Sequence, residues 1–425
     1  MRTVKRNPFL AGAAAMFGAL LLVTNIASAE LGSDKSAAII IFPKLISDTT
    51  TGTITPSDTL IQISNTASHQ IAARCFLVNA NSHCSNFGVS GVKLVCSSDT
   101  DCNPTGVTGG HCIAGWQETD FRFQLTPFQP IQWVLSQGTP SGFPLDGLIK
   151  QGAIDPDTGL PASNNQEPFG TSQIPPAPEQ PFIGELKCVQ VDPTTLNPTT
   201  GTEIPSGGTN SVNNGVGDLA GVATIILPTT ADLDARSYNA IGLQATPNAA
   251  GGDNTLILSA DPDTAEYDGC PGVLLLDHFF DGAHEPVSGG TVTTTLTLIP
   301  CSENFLTQDA LRNSTVVQYL VYNEFEQRFS TSNSVSCLKS ITISDIASRP
   351  GPSDDTTSIF NVAVQGTLTG QTRIRPVDGG NPNRGDGLLG IAEESFASTR
   401  TRSDAFNIWK PKLSDRATAD IIVLP

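Results

Sequence analysis

Phe121-Arg122-Phe123-Gln124-Leu125 is the stretch that decides the fold. Apolar and polar side chains alternate without a break, and a period of two sets the phenylalanines and the leucine on one face of an extended strand. That pattern predicts an antiparallel sheet with one face packed and the other in water. Outward from it, short runs rich in Val, Ile, Leu, Thr and Phe recur between Gly, Pro, Asn, Asp or Ser. Toward the N-terminus these are Ala38–Leu45, Thr59–Ser64 and Ile71–Asn79, and the opening stretch itself extends over Asp120–Thr126. Toward the C-terminus follow Ile131–Ser136, Ile183–Val191, Gly221–Leu227, Asn239–Ala245, Val273–Phe280 and Val292–Ile299. Thr315–Tyr322, Ser336–Ser344, Asn361–Thr369, Thr372–Val377 and Leu388–Ala392 complete the series. Apolar spacing of three and four is rarely sustained, so little helix is expected. Many short strands with frequent turns predict an all-β chain of antiparallel β-sandwich modules.

Composition supports that class. Gly and Pro number 39 and 30, which would break a coiled coil or a helical bundle repeatedly. The 23 Lys and Arg stand against 41 Asp and Glu, a net charge of −18, so no basic surface for nucleic acid is available. A hydrophobic share of 38% suffices for a core. Residues 146–286 carry 19 acids against Lys150, Lys187 and Arg236, which concentrates the negative charge in the middle of the chain.

The start of the chain has the layout of an export signal. Arg2, Lys5 and Arg6 precede an apolar stretch from Phe9 to Val23, and Ala27-Ser28-Ala29 offers a cleavage site. The apolar stretch is shorter than the roughly 20 residues that a membrane span needs. Residues 1–29 are therefore expected to be a signal peptide, and the mature chain to be secreted, extracellular or at the cell surface, with the periplasm also open. Removing three leader cations takes the net charge to −21.

Nine cysteines suit an oxidising compartment. No Cys-x-x-Cys occurs, which argues against zinc. Cys84, Cys96, Cys102 and Cys112 lie in a stretch poor in core residues and are expected to pair among themselves, holding an insertion between strands. Cys75 is expected to bond Cys188, and Cys270 to bond Cys301, which leaves Cys337 over. Thr139–Pro205 holds twelve prolines in 67 residues and reads as a long loop around the strand Ile183–Val191. Thr59-Leu60-Ile61-Gln62-Ile63 is echoed by Thr315-Val316-Val317-Gln318-Tyr319. That echo suggests two sandwich-like domains, 30–285 and 286–425, with one larger double sheet as the alternative.

Candidate chemistry is sparse. Asp261, Asp263, Glu266 and Asp268 place carboxylates close together in a loop, the pattern a calcium ion requires. Asp155 and Asp157 form a lesser version. Asp277, His278, Asp281, His284 and Glu285 could ligate a metal or work as acid and base, although Asp277 and His278 point to opposite faces of an extended strand. No Gly-x-Ser-x-Gly elbow, His-Glu-x-x-His or P-loop is present. Arg384-Gly385-Asp386 is a short match of the kind that chance supplies, and Asn313-Ser314-Thr315 would accept a glycan only in an export pathway that glycosylates.

The segments "IIIFPKL", "TLIQISNT", "CFLVNAN", "QETDFRFQLTP", "PFIGELKCVQVD" and "NEFEQRFSTS" together resemble exported bacterial β-sandwich proteins that carry no assigned activity. The resemblance spans most of the mature chain and implies no catalytic residue and no cofactor. The strand pairs also look like immunoglobulin-like or fibronectin-like modules, and "CSSDTDCNPTGVTGGHC" is similar to small Cys-rich inserts of bacterial secreted proteins. The leading expectation is a non-enzymatic structural or binding protein with a cell-surface or matrix partner. Its rivals are a secreted hydrolase with a site around 261–285 and a calcium-dependent adhesion or assembly module.

Overall fold

The computed structural model describes residues 35–50, 57–85, 95–96, 99–103, 108–114, 117–139, 152–153, 174–191, 217–228, 233–246, 248–249, 254–284, 286, 289–307, 314–347, 358–377, 387–397, 401–408 and 416–425. The leader 1–29, Asp155, Asp157, Glu285, Asn313, Arg384-Gly385-Asp386 and most of the Pro-rich loop lie outside them. Among the described residues no helix is long and apolar enough to cross a membrane.

The alternating stretch belongs to the strand Gln117–Leu125, which sits in a six-stranded central sheet. Its order is Ile241–Leu243, Ile39–Ser47, Phe182–Val191, Ile71–Asn79, Gln117–Leu125 and Gly152–Ala153, with antiparallel pairing throughout. One face of this sheet meets a four-stranded outer sheet built from Leu233–Asn239, Leu219–Pro228, Asp58–Asn65 and Pro130–Val134. Phe42, Cys75, Leu77, Phe121, Phe123, Leu186 and Cys188 from the central sheet pack there against Ile61, Ile63, Trp133 and Ile225. Phe121 and Phe123 meet the Trp133 ring edge-on at 6.1 and 6.5 Å, the geometry aromatic quadrupoles favour.

The other face of the central sheet was expected in water, and here the structure corrects the sequence. A smaller covering sheet, Tyr267–Asp268, Thr255–Ser259, Asp420–Val423 and Glu303–Asn304, closes over it. Ile39, Ile41, Phe76, Val78 and Val189 share a second core with Leu256, Leu258, Tyr267, Phe305 and Ile422. Arg122, on the polar side of the alternation, is only 9% exposed. Alternation reports which residues share a face; what lies over that face depends on distant chain.

Two further four-stranded sheets make a distal pair. One orders Leu274–Phe279, Thr369–Val377, Ser314–Asn323 and Arg328–Ser336, and the other Lys339–Thr342, Thr291–Pro300, Leu388–Ala397 and Thr401–Asn407. They enclose Leu276, Leu298, Tyr319, Val321, Phe360 and Ile374. Residues Leu31–Pro425 group as one unit by contact, and Leu274–Phe279 pairs with Thr369–Val377 across the region where the sequence suggests a boundary. The echoed segments each occupy the third strand of a four-stranded sheet.

Two strand expectations fail locally. Within Asn361–Thr369 the chain forms a one-turn helix, Val362–Gln365. The Asn361 side chain accepts a hydrogen bond from the Ala363 amide, and Gly366 takes the left-handed C-cap at φ 68°. Both ends are therefore satisfied without a neighbouring strand. Within Ser336–Ser344 the expected strand is reduced to Lys339–Thr342 and the end of Arg328–Ser336, and Ile343–Ile346 turns into a second short helix. Arg328–Ser336, Thr401–Asn407 and Asp420–Val423 escaped the sequence reading. The first is rich in Ser, Thr and Asn because its side chains are mostly exposed at a sheet edge.

Candidate functional site

Among the described residues, a dense group of buried ionisable side chains lies in the layer between the central and covering sheets. Strand alternation puts Arg74 of Ile71–Asn79, Glu118, Asp120 and Arg122 of Gln117–Leu125, and Glu185 and Lys187 of Phe182–Val191 on one face. The side chains of Glu185, Lys187 and Glu303 have no exposure at all. Lys187 Nζ is 2.9 Å from Glu185 Oε1 and also pairs with Glu303 Oε2 across the two sheets. Arg74 donates to Asp120 Oδ2 at 3.0 Å and to the main-chain oxygen of Pro425 at 3.0 Å. Its guanidinium lies 5.0 Å from the ring centre of Phe76, and Phe76 stacks on Phe305 of the covering layer at 4.2 Å. Both oxygens of Glu118 and Oδ1 of Asp120 are buried without a hydrogen-bond partner.

Burial sets the protonation of this layer. Loss of solvent pushes Glu185 up to about 8, and it raises Glu118, Asp120 and Glu303 as well. Desolvation pulls against Lys187, but the adjacent charges of Glu185 and Glu303 prevail and hold its ammonium above the ordinary lysine value.

A second ionic junction lies where three sheets meet. The register shifts between Phe42 and Leu45, and this bulge carries Pro43 and Lys44, a strand position proline tolerates. Lys44 pairs with Glu393 of the distal pair. Glu393 also accepts from Arg236 of the outer sheet at 3.0 Å, and Arg236 reaches Asp234 at 3.0 Å. The Tyr238 hydroxyl donates to the Lys44 carbonyl.

The residues nominated from sequence do not assemble into one site. Asp261 accepts from the Asp263 amide, Glu266 from the Ile257 amide, and Asp268 is bound to Arg416 at 3.1 Å and to the Gln244 amide at 3.1 Å. The carboxylates of Asp261, Glu266 and Asp268 are thus directed to different partners, with Asp261 and Asp263 exposed and Asp268 buried. Asp277 is exposed and accepts from Gln371, whereas His278 is buried beside it. The His278 Nδ1–H donates to the Phe279 carbonyl at 3.0 Å, so Nε2, 2.8 Å from the Thr372 hydroxyl, is its acceptor nitrogen. Burial depresses His278 to about 4. Asp281 is buried and accepts from the Thr294 and Ser344 amides, while His284 is exposed. Of the remaining histidines, His83 pairs with Glu179 at 2.8 Å and His111 with Asp99 at 3.1 Å.

Four disulfides join Cys75–Cys188, Cys84–Cys102, Cys96–Cys112 and Cys270–Cys301. Cys75 and Cys188 are directly opposed in register on adjacent strands. The insert cysteines bracket a two-stranded ribbon, Ser82–Cys84 with Cys112–Ala114. Cys337 is buried outside these four bonds.

Two described clefts are open grooves with uncharged linings. One, of about 450 Å³, runs over Gln62, Ser64, Pro130, Val222 and Asn239. The other, of about 230 Å³, lies between Tyr238, Asn239, Phe406 and Asn407. Neither contains a member of the ionic layer. The signal that could have found that layer was present in the sequence: charged residues at Arg74, Glu185 and Lys187 inside otherwise apolar strands, a pattern that implies paired burial.

The chain is thus an all-β, disulfide-bonded protein with a sealed ionic layer. Comparison with protein families, with curated proteins and with solved structures finds no match.

Proposed function

We propose that this is an exported, non-enzymatic structural or binding protein of the cell exterior, built from antiparallel sandwich modules. The observation that carries the reading is the fate of its ionisable groups. Catalysis needs such groups to converge on a space that substrate can enter. Here Glu185, Lys187 and Glu303 are sealed between sheets, and His278 is occupied by Thr372 and the Phe279 carbonyl. Four disulfides and the leader-like residues 1–29 support an oxidising destination. Face-to-face packing of the central and outer sheets supports the sandwich description. Among the described residues, neither the hydrolase reading nor calcium-dependent assembly gains support from a specific contact.

The test has two arms. Fractionation of producing cells, with sequencing of the mature N-terminus, should find the protein outside the cytoplasm and beginning near Glu30. An unprocessed cytoplasmic product would sink the export reading. The purified mature chain should show no turnover of peptide, ester or glycoside panels. Turnover that disappears in Asp277→Asn or His278→Gln, with the fold retained, would instead establish the hydrolase.

A further inference from the structure

We propose that the Arg328–Ser336 edge of the distal pair is where two copies of this chain join, strand to strand, about a two-fold axis at Ser332. Among the described residues this nine-residue strand pairs on one side only, with Ser314–Asn323, and its register runs without a shift. An unpaired edge of that length is a template for another strand, and proteins usually blunt it with lysine, proline, a bulge or a covering segment. Other described edges carry such devices. Pro130 opens the strand Pro130–Val134, Gly152–Ala153 is two residues long, and Lys339 begins the four-residue Lys339–Thr342. The Leu275 amide of Leu274–Phe279 donates to the Ile408 carbonyl, and the Asn407 side chain donates to the carbonyl of Asn239 at the end of Leu233–Asn239. Arg328–Ser336 has no lysine, no proline and no bulge, and its one charge is Arg328 at the very start.

The ladder fixes which backbone groups are open. The Asn323 amide donates to the Gln327 carbonyl at 3.2 Å, one rung beyond the Tyr322–Arg328 pair. Bonded and non-bonded rungs alternate in an antiparallel ladder. Phe329, Thr331, Asn333 and Val335 therefore bond inward to Ser314–Asn323. The amides and carbonyls of Arg328, Ser330, Ser332, Ser334 and Ser336 point the other way, to the open edge. The side chains of the same five residues are exposed, and four of them are small serines that leave a second strand room to approach.

A second copy fits this edge because the strand is complementary to itself. An antiparallel partner centred on Ser332 sets Ser330 opposite Ser334 and Arg328 opposite Ser336, so each open amide meets an open carbonyl. On the inner face Phe329 comes opposite Val335, an aromatic and β-branched pair of the kind that stabilises neighbouring strands. Phe329 is only half-buried within one copy, so the joint covers it further. Charge favours the same place. The net charge of −18 opposes self-association in general, but 328–336 holds no acid. The two Arg328 side chains also lie at opposite ends of the joint, where no like charge faces them. Pairing here merges two four-stranded sheets into one continuous sheet.

Sedimentation of the purified mature chain between about 1 and about 100 µM tests the joint, and the wild type should be a reversible dimer in that range. Ser332→Pro removes an amide that a single copy does not use in its ladder. It should weaken the dimer at least about tenfold with the fold retained. Ser330→Lys combined with Ser334→Lys sets like charges across the rungs beside the axis. It should weaken the dimer about fivefold, although it lowers the net negative charge. Ser330→Lys combined with Ser334→Glu sets opposite charges there and should associate at least as well as wild type. In the wild type, hydrogen exchange at the Ser330, Ser332 and Ser334 amides should slow as the chain is concentrated, a readout that stands even if a variant fails to fold. A monomer throughout, a dimer untouched by Ser332→Pro, or equal association of the two lysine-bearing variants would each overturn the proposal. Exchange at those amides that is the same at every concentration would overturn it too, and slow exchange at all of them would assign the edge to a segment of the same copy.

Discussion

The two faces of the central sheet come from the same strands and meet opposite chemistry. In Ile71–Asn79, Ala73, Cys75 and Leu77 join an apolar core with Trp133, while Arg74, Phe76 and Val78 face the covering sheet. In Phe182–Val191, Leu186 and Cys188 take the first face, and Glu185 and Lys187 the second. Both faces are dry. The first is held by shape and dispersion, and gains from every apolar atom. The second depends on completed pairs, since each ion there is tolerable only with its partner. The lesson is that the apolar face should yield gradually to substitution, and the ionic face abruptly.

Breaking a pair gives the largest expected effect. Lys187→Met strands Glu185 and Glu303 without their cation and should lower stability by about 3–5 kcal/mol in urea denaturation. Replacing the whole set, Lys187→Met with Glu185→Leu and Glu303→Leu, should bring the loss back to within about 2 kcal/mol. If the triple variant is no better than the single one, the pairs contribute more than their own neutralisation and the contrast between faces fails.

Truncation on the apolar face sharpens the contrast. Phe123→Ala should cost about 3–4 kcal/mol through the cavity beside Trp133. Its loss should be the same at pH 6 and pH 9, because Tyr238, the ionisable side chain of that core, is held by burial above the ordinary tyrosine value. A pH-dependent loss would show that the two layers are coupled through the sheet.

The acid limb belongs elsewhere in the molecule. His278 is neutral when folded and depressed from 6.5 to about 4, so the unfolded chain binds the proton more readily. Stability should therefore fall as pH drops from 6.5 toward 4, by up to about 3 kcal/mol. His278→Phe should flatten that limb. An unchanged acid limb would place its origin in other buried groups.

Much of the fold is legible from the residues. Alternation in Phe121–Leu125 identifies a strand and its two faces, and Gly and Pro mark the turns between many strands. The Ser/Thr-rich strand Arg328–Ser336 is not legible that way, because an exposed edge needs no apolar pattern. The helix Val362–Gln365 was hidden by Val-Ala-Val, whose β propensity yields to the caps at Asn361 and Gly366. The nominated loop 261–268 and the cluster 277–285 drew attention through proximity in sequence, yet the side chains of Asp261, Glu266, Asp268, Asp277 and His278 turn to separate partners. The ionic layer is the reverse case. Its members lie as far apart as Arg74 and Glu303, and no local spacing joins them.

The amino-acid sequence by itself determined the β class, the acidic balance and the division of each strand into two faces. Those properties depend on composition and on a period of two, and both are local. Only the tertiary structure decided that the charged face would be enclosed. Enclosure required Glu303–Asn304 and Asp420–Val423 to fold back over strands more than a hundred residues earlier, and the charge on a buried group is set by whatever lies across from it.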